Sequence, residues 1–156
     1  MHMKAAIMVL LAVVLVACDQ KAEKDQKVQL SSASTEQVPA RHNDPAVLAL
    51  GQKVFQQHCS ACHGAQAQGA ADWRKRKPDG TFPPPPLNGS GHAWHHSRAI
   101  LRDVIRNGSQ PGQGGMPAWQ GKLTGDEIEA AIGWFQSLWP DPVYTAWYEM
   151  QQRGNQ

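Results

Sequence analysis

The sequence predicts a small all-α domain, three main helices joined by long loops. Three observations predict it. Apolar residues recur at helical spacing in three separate segments, each preceded by a helix-start residue. No segment alternates apolar and polar residues as a half-buried strand would. The stretches between the helices are dense in Gly and Pro, too punctuated for long regular elements.

The first helix starts at Asp44, an N-cap, with Pro45 in the first turn where its missing N–H costs nothing. Val47, Leu50, Val54 and Phe55 give it an apolar face. The second runs from the N-cap Ser97 through "RAILRDVIRNG", with Ile100, Leu101, Val104 and Ile105 apolar and Asn107-Gly108 as the stop. The third opens on a capping box, Thr124 with Glu127. Its stripe is Ile128, Ala131, Ile132, Phe135, Leu138 and Trp139, and Pro140 ends it. A short helix is expected after Pro142, with Tyr144, Trp147 and Tyr148 packing on the rest. Between the first two helices, Pro83 to Pro86 favour a stiff extended stretch. Three short helices make a thin core, so an internal staple is expected. A large flat apolar cofactor would serve, with helices and loops wrapped around it.

Ahead of the domain, Lys4 precedes an apolar run of 13 residues, "AAIMVLLAVVLVA" (Ala5 to Ala17). That is signal-peptide length and short of a membrane span. It ends in Leu15-Val16-Ala17-Cys18, which resembles a bacterial lipobox, so Cys18 is the expected lipidation site. Several acyl chains on one residue hold a protein firmly at a membrane surface. Residues 19–43 are polar, with equal numbers of acids and bases, and read as a flexible tether. The expected organisation is a leader over 1–17, a lipid-anchored tether over 18–43, the domain over 44–140 and a tail over 141–156. The formal net charge is +2, with no basic face of the kind nucleic acid requires.

With Cys18 set aside, Cys59 and Cys62 are the remaining cysteines, in "CSACH". A redox dithiol of the thioredoxin kind follows a strand and opens a helix, whereas this pair follows a helical pattern. A structural zinc site needs four ligands, and no second CxxC is present. His92, His95 and His96 are candidates, but their spacing forms no familiar closing pair. The third reading fits every residue. Two thiols three apart can add to the two vinyl groups of one haem, and His63 then lies under the iron as its ligand. Attachment of this kind happens outside the cytoplasm, in agreement with the leader. For the sixth position, the chain beyond the leader offers Met116 and Met150. Met116 lies in "GQGGMPAW", a Gly-rich loop that lets backbone approach a ring, stiffened by Pro117. Met150 lies near the chain's end and is expected to have no ligand role.

At these residues the chain resembles the small class I c-type cytochromes, of the bacterial single-haem kind. The resemblance covers residues 44–140. It rests on Gly51 and Phe55 before Cys59-Ser60-Ala61-Cys62-His63-Gly64, on Pro85, Leu87 and Gly89, on Met116-Pro117, and on the capped last helix with Trp134. It implies a cytochrome c fold around one covalently bound haem c. It implies that the first and last helices cross where Gly51 meets Trp134 or Phe135. It also implies that the backbone carbonyl of Pro85 accepts the ring N–H of His63.

Two segments depart from the plainest pattern. "WRKRK" brings Arg74, Lys75, Arg76 and Lys77 together, either a docking patch for an acidic partner or a solvated loop. "GHAWHHS" places His92, His95 and His96 where they could touch a propionate, cap the Ser97 helix or bind copper. Trp94 and Trp119 either line the haem or pack in the core.

The expected function is one-electron transfer by a His63/Met116-ligated haem c, by an electron carrier and not an enzyme. It would pass electrons between extracytoplasmic redox partners as a lipid-anchored monomer at the periplasmic face of a bacterial membrane. Asp19 after Cys18 favours the inner one. The alternatives are a haem-based sensor or ligand-binding module with a labile Met116, and a copper-handling protein using His92–His96.

Overall fold

The computed structural model describes residues 39–41 and 44–154. The order of elements is α1 (Pro45–His58), α2 (Ser60–His63), a 3-10 turn (Ala93–His95), α3 (Arg98–Asn107), α4 (Gly125–Ser137) and α5 (Asp141–Gly154). Among the described residues no strand forms, and Phe82 with Gly114 makes an isolated bridge. The all-α expectation therefore holds. The expected leader, the lipidation at Cys18 and most of the expected tether lie outside the described residues.

Local chemistry sets the helix starts. The Asp44 carboxylate accepts the N–H groups of Ala46 and Val47, at 2.8 and 3.4 Å. Ser97 Oγ accepts the Ile100 N–H at 3.2 Å. At α4 the capping box closes in both directions. Thr124 Oγ1 accepts the Glu127 N–H, and the Glu127 carboxylate accepts the Thr124 N–H at 2.8 Å.

The core forms where α1 crosses α4. Phe55 and Trp134 pack with ring centroids 4.5 Å apart. Gly51 lies directly against the backbone of Ala130 and the Cβ of Trp134. The expected meeting of small residue and aromatic is present. The apolar face of α1 is shorter than expected. Gly51, Val54 and Phe55 are buried, but Val47 and Leu50 are 42% and 38% exposed, because α1 meets α4 through its second half. On α3, Leu101 is buried and Ile105 packs on the core, while Ile100 and Val104 face outward.

The segment after Pro140 is more than a short helix. α5 has 14 residues, and Tyr144 and Trp147 join the core, with Met150 packed against it. Trp147 Nε1 donates to the His96 carbonyl at 3.0 Å, tying α5 to the 3-10 turn. Arg41, before α1, reaches the same corner. Its guanidinium donates to the carbonyls of Gln136 and Trp139, at 2.9 and 2.8 Å, and to Asp141 at 2.6 Å, and it lies over the Tyr144 ring. It thereby adds a side-chain donor to the Gln136 carbonyl, which also accepts the Trp139 N–H, and supplies one to the Trp139 carbonyl just past the helix end.

Candidate cofactor site

Cys59 ends α1 and caps α2, so Cys59, Cys62 and His63 share one tight turn. The His63 N–H donates to the Cys59 carbonyl at 2.9 Å. Cys62 is exposed, Cys59 is half-buried against the core, and both thiols are free. Burial, and then the neighbouring Cys62, push the Cys59 thiol up to about 11. That is the reverse of a redox-active dithiol, whose attacking thiol has a depressed pKa.

His63 is buried and its ring is oriented by one bond. Nδ1 donates to the Pro85 carbonyl at 2.9 Å. Burial lowers the imidazole's pKa, and the Pro85 bond opposes this only in part, so the ring is neutral. A neutral imidazole with Nδ1–H engaged presents Nε2 as a lone pair, the form a metal requires. The Pro85 carbonyl is itself held by a network around it. Gly69 donates to the His63 carbonyl at 2.7 Å, Ala70 to Pro84 at 2.9 Å and Leu87 to Ala67 at 2.7 Å. A Cβ on Gly69 would lie 2.3 Å from Pro86 N, so the two strands of this loop touch because residue 69 is glycine. Trp139 Nε1 donates to the Leu87 carbonyl at 2.7 Å and locks the loop to the end of α4.

Met116 comes from the loop between α3 and α4. Its N–H donates to Ser109 Oγ at 3.2 Å, and its carbonyl accepts the Ser109 N–H at 3.0 Å. Three residues on, Trp119 donates its backbone N–H to Ile105 and sets its ring edge-on to His58, with centroids 5.2 Å apart. His58 immediately precedes Cys59, so this contact brings the Met116 loop to the end of the helix that carries the cysteines. Trp94 also packs on the core and stacks on His95 at 3.7 Å.

The donor set suits a haem: an oriented imidazole and two free thiols on the same turn, with a thioether, Met116, available on the loop between α3 and α4. The four bases of "WRKRK" do not form one free patch. Arg74 lies over Trp73, Lys75 pairs with Asp72 at 2.9 Å, and Lys77 pairs with Asp79 at 3.2 Å. Arg76 donates to the carbonyls of Gly80 and Gly112. His92 stacks on Trp73 and stands edge-on to His96. Among the described residues no group of three or more His, Cys, Asp or Glu side chains is placed to hold a metal ion. Arg41, Arg76 and Trp139 are contributions that motif reading missed. Trp139 alone had a signal, since a buried indole N–H needs an acceptor.

Residues 46–135 match the family model described as cytochrome C oxidase, cbb3-type, subunit III. The chain is 32% identical over 95 residues to the cbb3-type cytochrome c oxidase subunit CcoP of Azospirillum sp., covering 61% of this chain and 30% of that subunit. It is 32% identical over 89 residues to cytochrome c6 of Tetradesmus obliquus, covering 57% of this chain and 88% of the relative. The chain thus spans less than a third of the oxidase subunits it matches, but most of the small cytochrome. The crystal structure of cytochrome CL from Methylophaga aminisulfidivorans shares the fold, with a TM-score of 0.52 at 23% identity, over 73% of this chain and 70% of that one.

Proposed function

This chain belongs to the cytochrome c family matched by the cbb3-type oxidase subunit III model, and from that premise we propose that it is a single-haem electron carrier with His63 and Met116 as axial ligands. Membership implies a covalently bound haem c and haem-based electron transfer. When bound, the haem supplies an iron that accepts and releases one electron at a time. The rest falls to this chain's residues. Cys59 and Cys62 would each add their S–H across a vinyl group and fix the ring to α2. His63 would bind through Nε2 while the Pro85 carbonyl holds Nδ1–H and raises the donation of the ring. Met116 would supply a soft thioether, which favours the reduced state. Because both ligands sit on segments fixed by hydrogen bonds, little would rearrange as charge changes. The observation that carries the reading is the buried, neutral His63 with its Nδ1–H on Pro85, one residue after Cys62.

Its place would be the periplasmic face of a bacterial membrane, anchored through a lipid on Cys18 and tethered by residues 18–43. The oxidase subunits among its relatives make a membrane oxidase a natural redox partner. The domain would act there as a monomer.

The test is the optical spectrum of the haem-loaded protein, oxidised and then reduced. A weak far-red band in the ferric form, lost in Met116→Ala, is expected. Absence of that band, with ready uptake of carbon monoxide by the reduced protein, would replace the carrier with a haem sensor whose sixth position is open.

A further inference from the structure

We propose that Arg76 is a positioning residue for Met116, clasping the methionine loop to the loop on the His63 side. The proposal rests on the reading of Met116 as an axial ligand. The guanidinium Nη1 donates to the Gly112 carbonyl at 2.7 Å and to the Gly80 carbonyl, and it lies 4.2 Å over the Phe82 ring. Phe82 in turn bridges Gly114, two residues before Met116. Arg76 and Phe82 therefore reach across from the segment leading to Pro85 and grip the segment leading to Met116.

That grip matters because the methionine loop has little packing of its own. A Cβ on Gly112 or Gly115 would meet no atom within 4 Å. The turn closes on itself through Gln113 N–H to Gln110, and Ser109 holds its later part, bonded to Met116 and packed against Gly114, leaving the Gly112 end to Arg76. The neighbours of Arg76 do nothing comparable. Lys75 and Lys77 pair inside their own loop, and Arg74 covers Trp73. One guanidinium in the run is spent on a contact between loops: its Nη1 donates to a carbonyl on each side while its plane covers Phe82.

A contact present only when the loop is closed biases the loop toward closure. Removing it raises the open population, and any outside ligand that needs Met116 to leave then binds more tightly by the same factor. Imidazole is such a ligand: its nitrogen takes the place of the thioether, with no electron transferred. The guanidinium is solvent-exposed, so its hydrogen bonds and its contact with Phe82 are discounted, and an effect of about fivefold is expected.

The experiment titrates the haem-loaded, ferric full-length chain with imidazole and follows the far-red band. In Arg76→Ala the apparent Kd should fall about fivefold, and Phe82→Leu should move in the same direction. Arg76→Lys keeps the charge and a donor but loses the planar group over Phe82, so it should fall between; it also carries the test if Arg76→Ala loses its helical circular dichroism. Arg74→Ala removes the same charge without touching the methionine loop and should match the parent. If the parent shows the band but Arg76→Ala and Arg76→Lys bind imidazole as the parent does, the clasp is wrong and Met116 remains a ligand. If Arg74→Ala and Arg76→Ala shift equally, charge and not the bridge is responsible. A parent without the band overturns the ligand reading and the clasp together.

Discussion

A Cβ placed on Gly51 would lie 2.0 Å from the carbonyl oxygen of Ala130. The two helices touch backbone to backbone there, and Trp134 closes the contact on the next turn. Gly51→Ala must push α1 and α4 apart, since the obstructing atoms are main chain and cannot swing aside. The same shift separates Phe55 from Trp134, so the loss should be about 3 kcal/mol, at the upper end for overpacking. The midpoint of urea unfolding of the haem-loaded protein measures it. A midpoint within error of the parent would mean that the crossing is looser than this geometry.

The two cysteines should react at different rates before haem is attached. Cys59 is half-buried with its pKa pushed up to about 11, first by burial and then by Cys62. At about pH 8 roughly one part in a thousand of it is thiolate, the reactive form. Cys62 is exposed. Limited alkylation of the haem-free protein, read by peptide mass spectrometry, should label Cys62 well before Cys59. Equal labelling would show that the turn opens readily without haem, and would remove the argument from burial.

Acid should weaken the fold through Glu129. Burial alone would raise its carboxyl, but hydrogen bonds and charge from Arg98 and Arg102 outweigh this and hold it below its ordinary 4.5. A carboxylate lowered in the folded state binds fewer protons there than in the unfolded chain. Its contribution is therefore complete above about 4.5 and disappears as pH falls through the lower, folded value. Unfolding free energy measured from neutral pH downward should decline over that acid range, and Glu129→Gln should flatten the decline. A parallel curve for the variant would assign the acid sensitivity to other carboxylates.

What was legible in the sequence is what is local or fixed by spacing. Asp44, Ser97 and Thr124 cap their helices through neighbours two or three residues away, and Cys59, Cys62 and His63 share a single turn. The meeting of Gly51 with Trp134 is not local, and was reachable only through the family resemblance. Arg41 and Arg76 were out of reach, because nothing near them in sequence tells where the ends of α4 or the Gly112 turn will lie. The run Arg74 to Lys77 reads as one patch of charge, yet folding gives its members different partners. Val47, Leu50, Ile100 and Val104 fit the helical period but face outward, since periodicity finds an apolar arc and not how much of it is covered.

The bond from Trp139 Nε1 to the Leu87 carbonyl, at 2.7 Å, gives the last prediction. Leu87 stands two residues after Pro85, whose carbonyl accepts from His63 at 2.9 Å. Trp139→Phe keeps an aromatic ring in the core but leaves the Leu87 carbonyl without its indole partner, at a cost of about 1–2 kcal/mol. It should also let the Pro85 carbonyl drift from His63 Nδ1. With His63 as the axial ligand, a weaker bond there means less donation to iron, less support for the ferric state and a higher reduction potential. Potentiometric titration of Trp139→Phe, beside its unfolding curve, separates the two effects. Lower stability with an upward shift in potential is expected. Lower stability with an unchanged potential would confine Trp139 to the core and detach it from the tuning of His63.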